Sequence, residues 1–107
     1  MKALKSKSKL QKPLCSVHKA VDLIGSKWTI LILHQLCSDK RGFNELLKGI
    51  QDINPRALSA RLKEMVDSKL ITRTLHPDSR QVEYALTNKG ASLKSIITQL
   101  GNWADTI

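Results

Sequence analysis

At 107 residues with 41% hydrophobic content the chain can bury one core, so a single folded domain is expected, and with aromatics at only 4% its packing must be aliphatic. Eighteen basic residues against nine acidic ones give a net charge of +9, which points to a polyanion as partner because each neutralised phosphate releases counterions. The densest apolar stretch, residues 28–33, is bracketed by Lys27 and His34 and is too short to span a bilayer; without a signal-like apolar run, and with two cysteines rather than a disulfide framework, the expected location is cytoplasmic.

The chain opens on a lysine-rich segment. Lys2, Lys5, Lys7, Lys9 and Lys12 fall within the first twelve residues with no acid among them. Residues 1–13 are therefore expected as a disordered basic tail, either tracking a DNA backbone or only solubilising, with residues 14–107 as the folded domain. Val17, Ala20, Val21 and Ile24 then recur at helical spacing, and Gly25 ends the pattern. Residues 27–37 predict a second, deeply buried helix holding Trp28, Ile30, Leu31, Ile32, Leu33 and Leu36, and Phe43 with residues 44–50 predicts a short third one.

Asn54-Pro55 is a helix start, since asparagine can accept from an orphan amide of the first turn and proline gives up an amide that had no partner. In 100° steps Leu58, Leu62, Met65 and Val66 fall on one side as a burial stripe, and Arg56, Ser59, Ala60 and Lys63 on the other. That second face is polar, positive at its N-terminal end, and small at Ala60. A major groove accepts such a surface, the arginine offering a forked donor to guanine and the serine serving either side of a base pair; an ordinary solvated face is the alternative.

After Lys69 the period changes to two. Residues 70–75 and 82–86 read as strands, and Pro77-Asp78-Ser79-Arg80-Gln81 between them is turn chemistry. A lone hairpin is marginal and must lie on a helical core, which sets its tip beside the helix opened by Pro55, with Arg80 able to reach a phosphate or the minor groove. Beyond Asn88, Leu93, Ile96, Ile97, Leu100 and Trp103 form a last apolar stripe. A second copy of the chain can cover it, setting two such helices about one DNA turn apart; folding back on its own domain is the alternative.

This order is the layout of a winged helix-turn-helix, mainly α with a small β-hairpin (α+β), with a C-terminal helix able to pair with a second copy. The expected partners are double-stranded DNA and a second copy, with no membrane. The expected DNA contacts are Asn44, Pro55, Arg56, Ala57, Ser59, Ala60 and Lys63, joined by Ser79, Arg80 and Gln81 on the wing. The expected dimer surface on the last stripe is Leu93, Ile96, Ile97, Leu100 and Trp103. A winged-helix module that holds a protein or structured RNA without operator specificity is the second reading, since fold alone does not decide function.

The chain resembles the HxlR family of bacterial and archaeal winged helix-turn-helix transcriptional regulators, relatives of the MarR group. The resemblance spans residues 14–104. It rests on Cys15 with Val17 two residues on, Gly25-Ser26-Lys27-Trp28-Thr29, Arg41-Gly42-Phe43-Asn44-Glu45-Leu46, Leu58-Ser59-Ala60-Arg61-Leu62-Lys63-Glu64, and Val82-Glu83-Tyr84-Ala85-Leu86-Thr87 with Gly90. It implies N- and C-terminal dimerisation helices, a homodimer built from the first and last helices that adds Val17 and Val21 to the dimer surface, a recognition helix over residues 55–68 and a wing over residues 77–81. Ser16 stands where the family commonly has proline, and the wing is one residue shorter, with Gln81 where an arginine would precede the Val82 strand.

Cys15 matches a cysteine that in some members of this family senses oxidants or electrophiles. Sensing needs thiolate character, which Lys12, Lys19 or the start of the first helix can promote; a half-buried structural thiol is the alternative. A small-molecule or oxidant effector is then a further expected partner, while Cys37, on the buried second helix, is expected to be shielded. Cys15-x-x-His18 and His34-x-x-Cys37 have ligand-like spacing, but ordinary helix packing produces it too, so no metal is expected. No glycine-rich phosphate loop, nucleophile elbow or paired carboxylates are present in the sequence, so neither catalytic residues nor a cofactor are expected.

Overall fold

Apolar spacing places the helices in a computed structural model that describes residues 15–107. The expectation for residues 1–13 lies outside the described residues. The elements are α1 (Ser16–Ile24), α2 (Lys27–Ser38), β1 (Arg41–Gly42), α3 (Phe43–Gly49), α4 (Pro55–Asp67), β2 (Ile71–Leu75), β3 (Val82–Leu86), α5 (Asn88–Ala91) and α6 (Lys94–Asp105). The fold is thus mainly helical with a small antiparallel sheet, as the periodicities implied.

The core lies where α2, α3 and α4 meet the sheet. Ile32 and Leu33 of α2, Leu46 of α3 and Leu58 of α4 are completely buried, and Leu62, Met65, Leu70 and Ile71 nearly so. Leu31, expected inside with its neighbours, instead faces outward, because α2 turns only one side to the core. Both ends of α4 are fixed by hydrogen bonds. At its start Asn54 is extended and its Oδ1 accepts from the Ala57 amide at 2.8 Å, with Pro55 following. At its end Lys69 adopts a left-handed φ of 69°, and the amides of Leu70 and Lys69 donate to the carbonyls of Met65 (2.9 Å) and Val66 (3.0 Å). This is a Schellman closure with lysine where glycine is usual, and it carries the expected apolar contact of buried Met65 and Leu70.

The sheet has three strands, in the order β1-β3-β2, rather than the two expected. Arg41 pairs with Tyr84 and Gly42 with Glu83 across β1 and β3. Nothing in Arg41-Gly42 favours a strand; tertiary bonds hold it, the Arg41 Nε donating to the Gln35 carbonyl (3.1 Å) and the Gly42 amide to the Glu45 carboxylate (2.8 Å). On the other side β2 pairs with β3 from Ile71↔Leu86 to Leu75↔Val82.

The last apolar stripe is not one helix. A break at Ser92 and Leu93 separates the short α5 from α6. The Thr87 hydroxyl accepts from the Gly90 amide (3.0 Å) and donates to the Lys69 carbonyl (2.6 Å), so α5 is fastened to the end of α4. Gly90 is buried, and a Cβ there would stand 2.2 Å from the Leu70 carbonyl oxygen. We predict that Gly90→Ala destabilises the fold by about 1 to 3 kcal/mol, since backbone must move to admit the methyl group. A urea midpoint equal to the parent's would contradict this packing.

Candidate nucleic-acid interface

Two devices set the presentation of α4. The turn from α3 is anchored by Ile50 and Ile53, both buried, while Asp52 between them takes a left-handed φ of 71°. With Leu58, Leu62 and Met65 held in the core, the opposite face of α4 is left in solvent. Arg56, Ser59, Ala60 and Lys63 are all exposed along it, and Asn44 is exposed in the first turn of α3. Ala57 differs from its neighbours: it is half-buried against the core, and its amide is taken by Asn54.

The wing is the β2–β3 hairpin. Its loop is closed by the His76 amide donating to the Gln81 carbonyl (2.8 Å) and by the Arg80 amide donating to the His76 carbonyl (2.7 Å). The Gln81 amide also reaches the Ser79 hydroxyl at 3.3 Å. Arg80 sits in the left-handed region with φ 60°, a conformation that costs an L-residue about 1 kcal/mol, and Ser79, Arg80 and Gln81 are all exposed. Glu83, on the strand behind the tip, is engaged by the His76 ring and by Lys40 at 3.8 Å. The exposed surface of α4 and wing therefore carries Arg56, Lys63 and Arg80, against Glu64, paired with half-buried Arg61 at 3.3 Å, Asp67 at the far end of the helix and Asp78 at the tip.

Arg73 belongs beside these residues and the motif-based reading passed over it. It pairs with Tyr84 in register and lies two residues from buried Ile71, so all three share one face of the sheet, the face turned to α4. The hairpin runs outward past the helix, which leaves Arg73 exposed above a groove of about 210 Å³ shared with Ser59 and Lys63 of α4. The alternation of the strand already held this signal.

The residues expected at the dimer surface divide between two environments. Leu93 and Ile97 are half-buried against the chain's own core. Val17 (68% exposed), Val21 (56%), Ile96 (47%), Leu100 (46%) and Trp103 (64%) are not, and neither α1 nor α6 contains a single buried residue. Helices of nine and twelve residues are marginal in isolation, so apolar residues left in water on both are a surface without its complement.

Cys15 is exposed at the N-cap position of α1, in extended backbone, and its carbonyl accepts from the Lys19 amide at 3.3 Å. Cys37 is half-buried on α2. Among the described residues no group of three or more His, Cys, Asp or Glu side chains is placed to hold a metal, so the two ligand-like pairs are not brought together.

A helix presented beside a β-wing in this order defines a winged helix-turn-helix, and comparison with known proteins specifies which kind. A family profile described as HxlR-like helix-turn-helix matches residues 23–107, and the chain belongs to that family. It is 42% identical over 91 residues to an uncharacterized HTH-type transcriptional regulator of Methanothermobacter thermautotrophicus, covering 84% of this chain and 70% of that one. The redox regulator HypR in its oxidized form superposes with a TM-score of 0.81 at 29% identity, over 87% of this chain and 97% of that chain. The quinone-bound form of YodB from B. subtilis superposes with a TM-score of 0.75 at 29% identity, over 89% of this chain and all of that one. The chain is accordingly a transcriptional regulator of HxlR/MarR type, and its family and relatives are not enzymes. No helix among the described residues is long and apolar enough to cross a membrane.

Proposed function

We propose that the chain acts in the cytoplasm as a two-fold homodimer that binds a specific duplex DNA site, α4 of each copy entering a major groove and the wing meeting the adjacent backbone or minor groove. The observation that carries this reading is the exposed face of α4, with Arg56 at its leading end and Lys63 two turns on, held beside the wing by a fully packed opposite face. The apolar residues left exposed on α1 and α6 support it, because a second copy covering them would put two modules on one duplex and supply the affinity a single small one lacks. Fluorescence anisotropy of labelled duplexes across a salt series tests it: sequence-selective binding is expected, and absent or wholly unselective binding would favour an adaptor role instead.

A thiol switch completes the reading. Cys15 is exposed at the root of the helix that carries Val17 and Val21, and regulators of similar structure are known in oxidized and quinone-bound states. Toward a quinone the Cys15 sulfur adds to a ring carbon. The thiol proton passes to one carbonyl oxygen and the proton displaced from that carbon to the other, leaving a hydroquinone thioether. Bulk at this position changes how two copies meet, and with it the spacing of the two α4 helices. Quinone treatment is expected to change operator affinity in the parent and in Cys37→Ser, and to leave Cys15→Ser unaffected. An unaltered response in Cys15→Ser would show the thiol to be structural.

A further inference from the structure

Between α4 and β2 lies a groove with a charge arrangement that base recognition does not require. Its floor is formed by buried Leu62 and Tyr84. Over that floor stand a hydroxyl, an ammonium and a guanidinium, from Ser59, Lys63 and Arg73, supplied by two elements that are fixed against each other. Ser59 and Lys63 are one helical turn apart on α4, and Arg73 faces them from the strand. Neither Lys63 nor Arg73 is paired with a carboxylate among the described residues. Asp67 lines the groove one turn beyond Lys63, so the lining carries two positive charges against one negative. The volume, about 210 Å³, is several times the roughly 30 Å³ of a water molecule and admits a tetrahedral phosphate with its ester oxygens.

We propose that this groove seats one phosphodiester of the bound duplex in each protomer, gripped by Arg73 and Lys63 with the Ser59 hydroxyl as a third donor. The proposal rests on the reading of the chain as a duplex-binding regulator. A guanidinium presents parallel donors that match two phosphate oxygens, and a lysine adds a point charge. A phosphate held in the angle between helix and wing fixes how deeply and in what register α4 lies. Arg73 is thus a positioning residue, blind to sequence, whereas Arg56 is placed to read bases.

The test compares Arg73→Gln with the parent on a selected duplex and on a scrambled one, by anisotropy against salt. Both duplexes are expected to lose affinity by the same factor, about five- to tenfold, and the slope of log affinity against log salt to shrink by roughly 0.9 for each seat lost. Arg73→Lys should recover part of the loss, and urea midpoints should match the parent's. A scan of single neutral methylphosphonate linkages supplies the second readout. One position per half-site should weaken the parent yet leave Arg73→Gln unchanged, since the contact is already gone. Parent-like affinity and slope in Arg73→Gln, or equal losses at every linkage for both proteins, would overturn the seat while leaving duplex binding intact. A parent that binds no duplex would instead refute the underlying reading, and the seat with it.

Discussion

Trp103→Asp is expected to convert the proposed dimer to a monomer and to remove most of its affinity for DNA. Trp103 is 64% exposed in the single chain, so the substitution leaves the core of the protomer untouched. In a two-fold interface every residue is used twice, so the change deletes two aromatic anchors and inserts two carboxylates that nothing pairs. A weakening of about 3 kcal/mol or more, over a hundredfold in dimer dissociation, follows. Ile97→Asp makes the contrast: Ile97 packs against the protomer's own core, and a charge there should unfold the chain rather than only divide the pair. Sedimentation velocity distinguishes the outcomes. A folded dimer in Trp103→Asp would place the interface away from α6.

Arg56→Ala is expected to weaken binding to the preferred duplex by about 1 to 3 kcal/mol and to relax selectivity at one base position, because the bidentate base contact proposed for it would be lost. Stability should move the other way or not at all. Arg56 lies in the first turn of α4, which contains no acidic residue, and a positive charge at that end opposes the helix dipole. Removing it relieves a repulsion of about 0.3 to 1 kcal/mol at most. A residue that costs its own helix stability while standing exposed on the candidate binding face is one whose place is explained by a partner. If the variant kept the parent's affinity and selectivity, the face of α4 would be wrongly assigned.

Where structure was legible in the sequence, the causes were local. Asn54-Pro55 announced α4 because the cap and the missing amide act within one turn, and the stripe of Leu58, Leu62 and Met65 fixed which side is buried. Long-range causes were not legible. The Arg41-Gly42 strand exists only because β3 offers it an edge and Gln35 and Glu45 hold its ends. The break at Ser92 and Leu93 was hidden because helical spacing continues across it, although Gly90, pressed on the Leu70 carbonyl, marks where the chain must stay close to α4. Spacing alone also merged the two sides of α6, where Ile97 serves the protomer's core and Ile96, Leu100 and Trp103 do not.

The candidate site shows the same division. The exposed row from Arg56 to Lys63 follows from helix geometry, whereas Ala57 within it is drawn inward by the core. Arg73 was recoverable from strand alternation with Ile71, but its meaning depends on how β2 crosses α4, which only the packed structure supplies.

Selection of binders from a pool of random-sequence duplexes, followed by footprinting of the enriched sites, tests the central claim most directly. A sequence with two-fold symmetry is expected, with two protected half-sites whose centres lie about one helical turn, roughly 10 base pairs, apart, and enrichment that is lost with Trp103→Asp. A pool that emerges without a consensus, or a single unsymmetrical site bound equally well by Trp103→Asp, would contradict it.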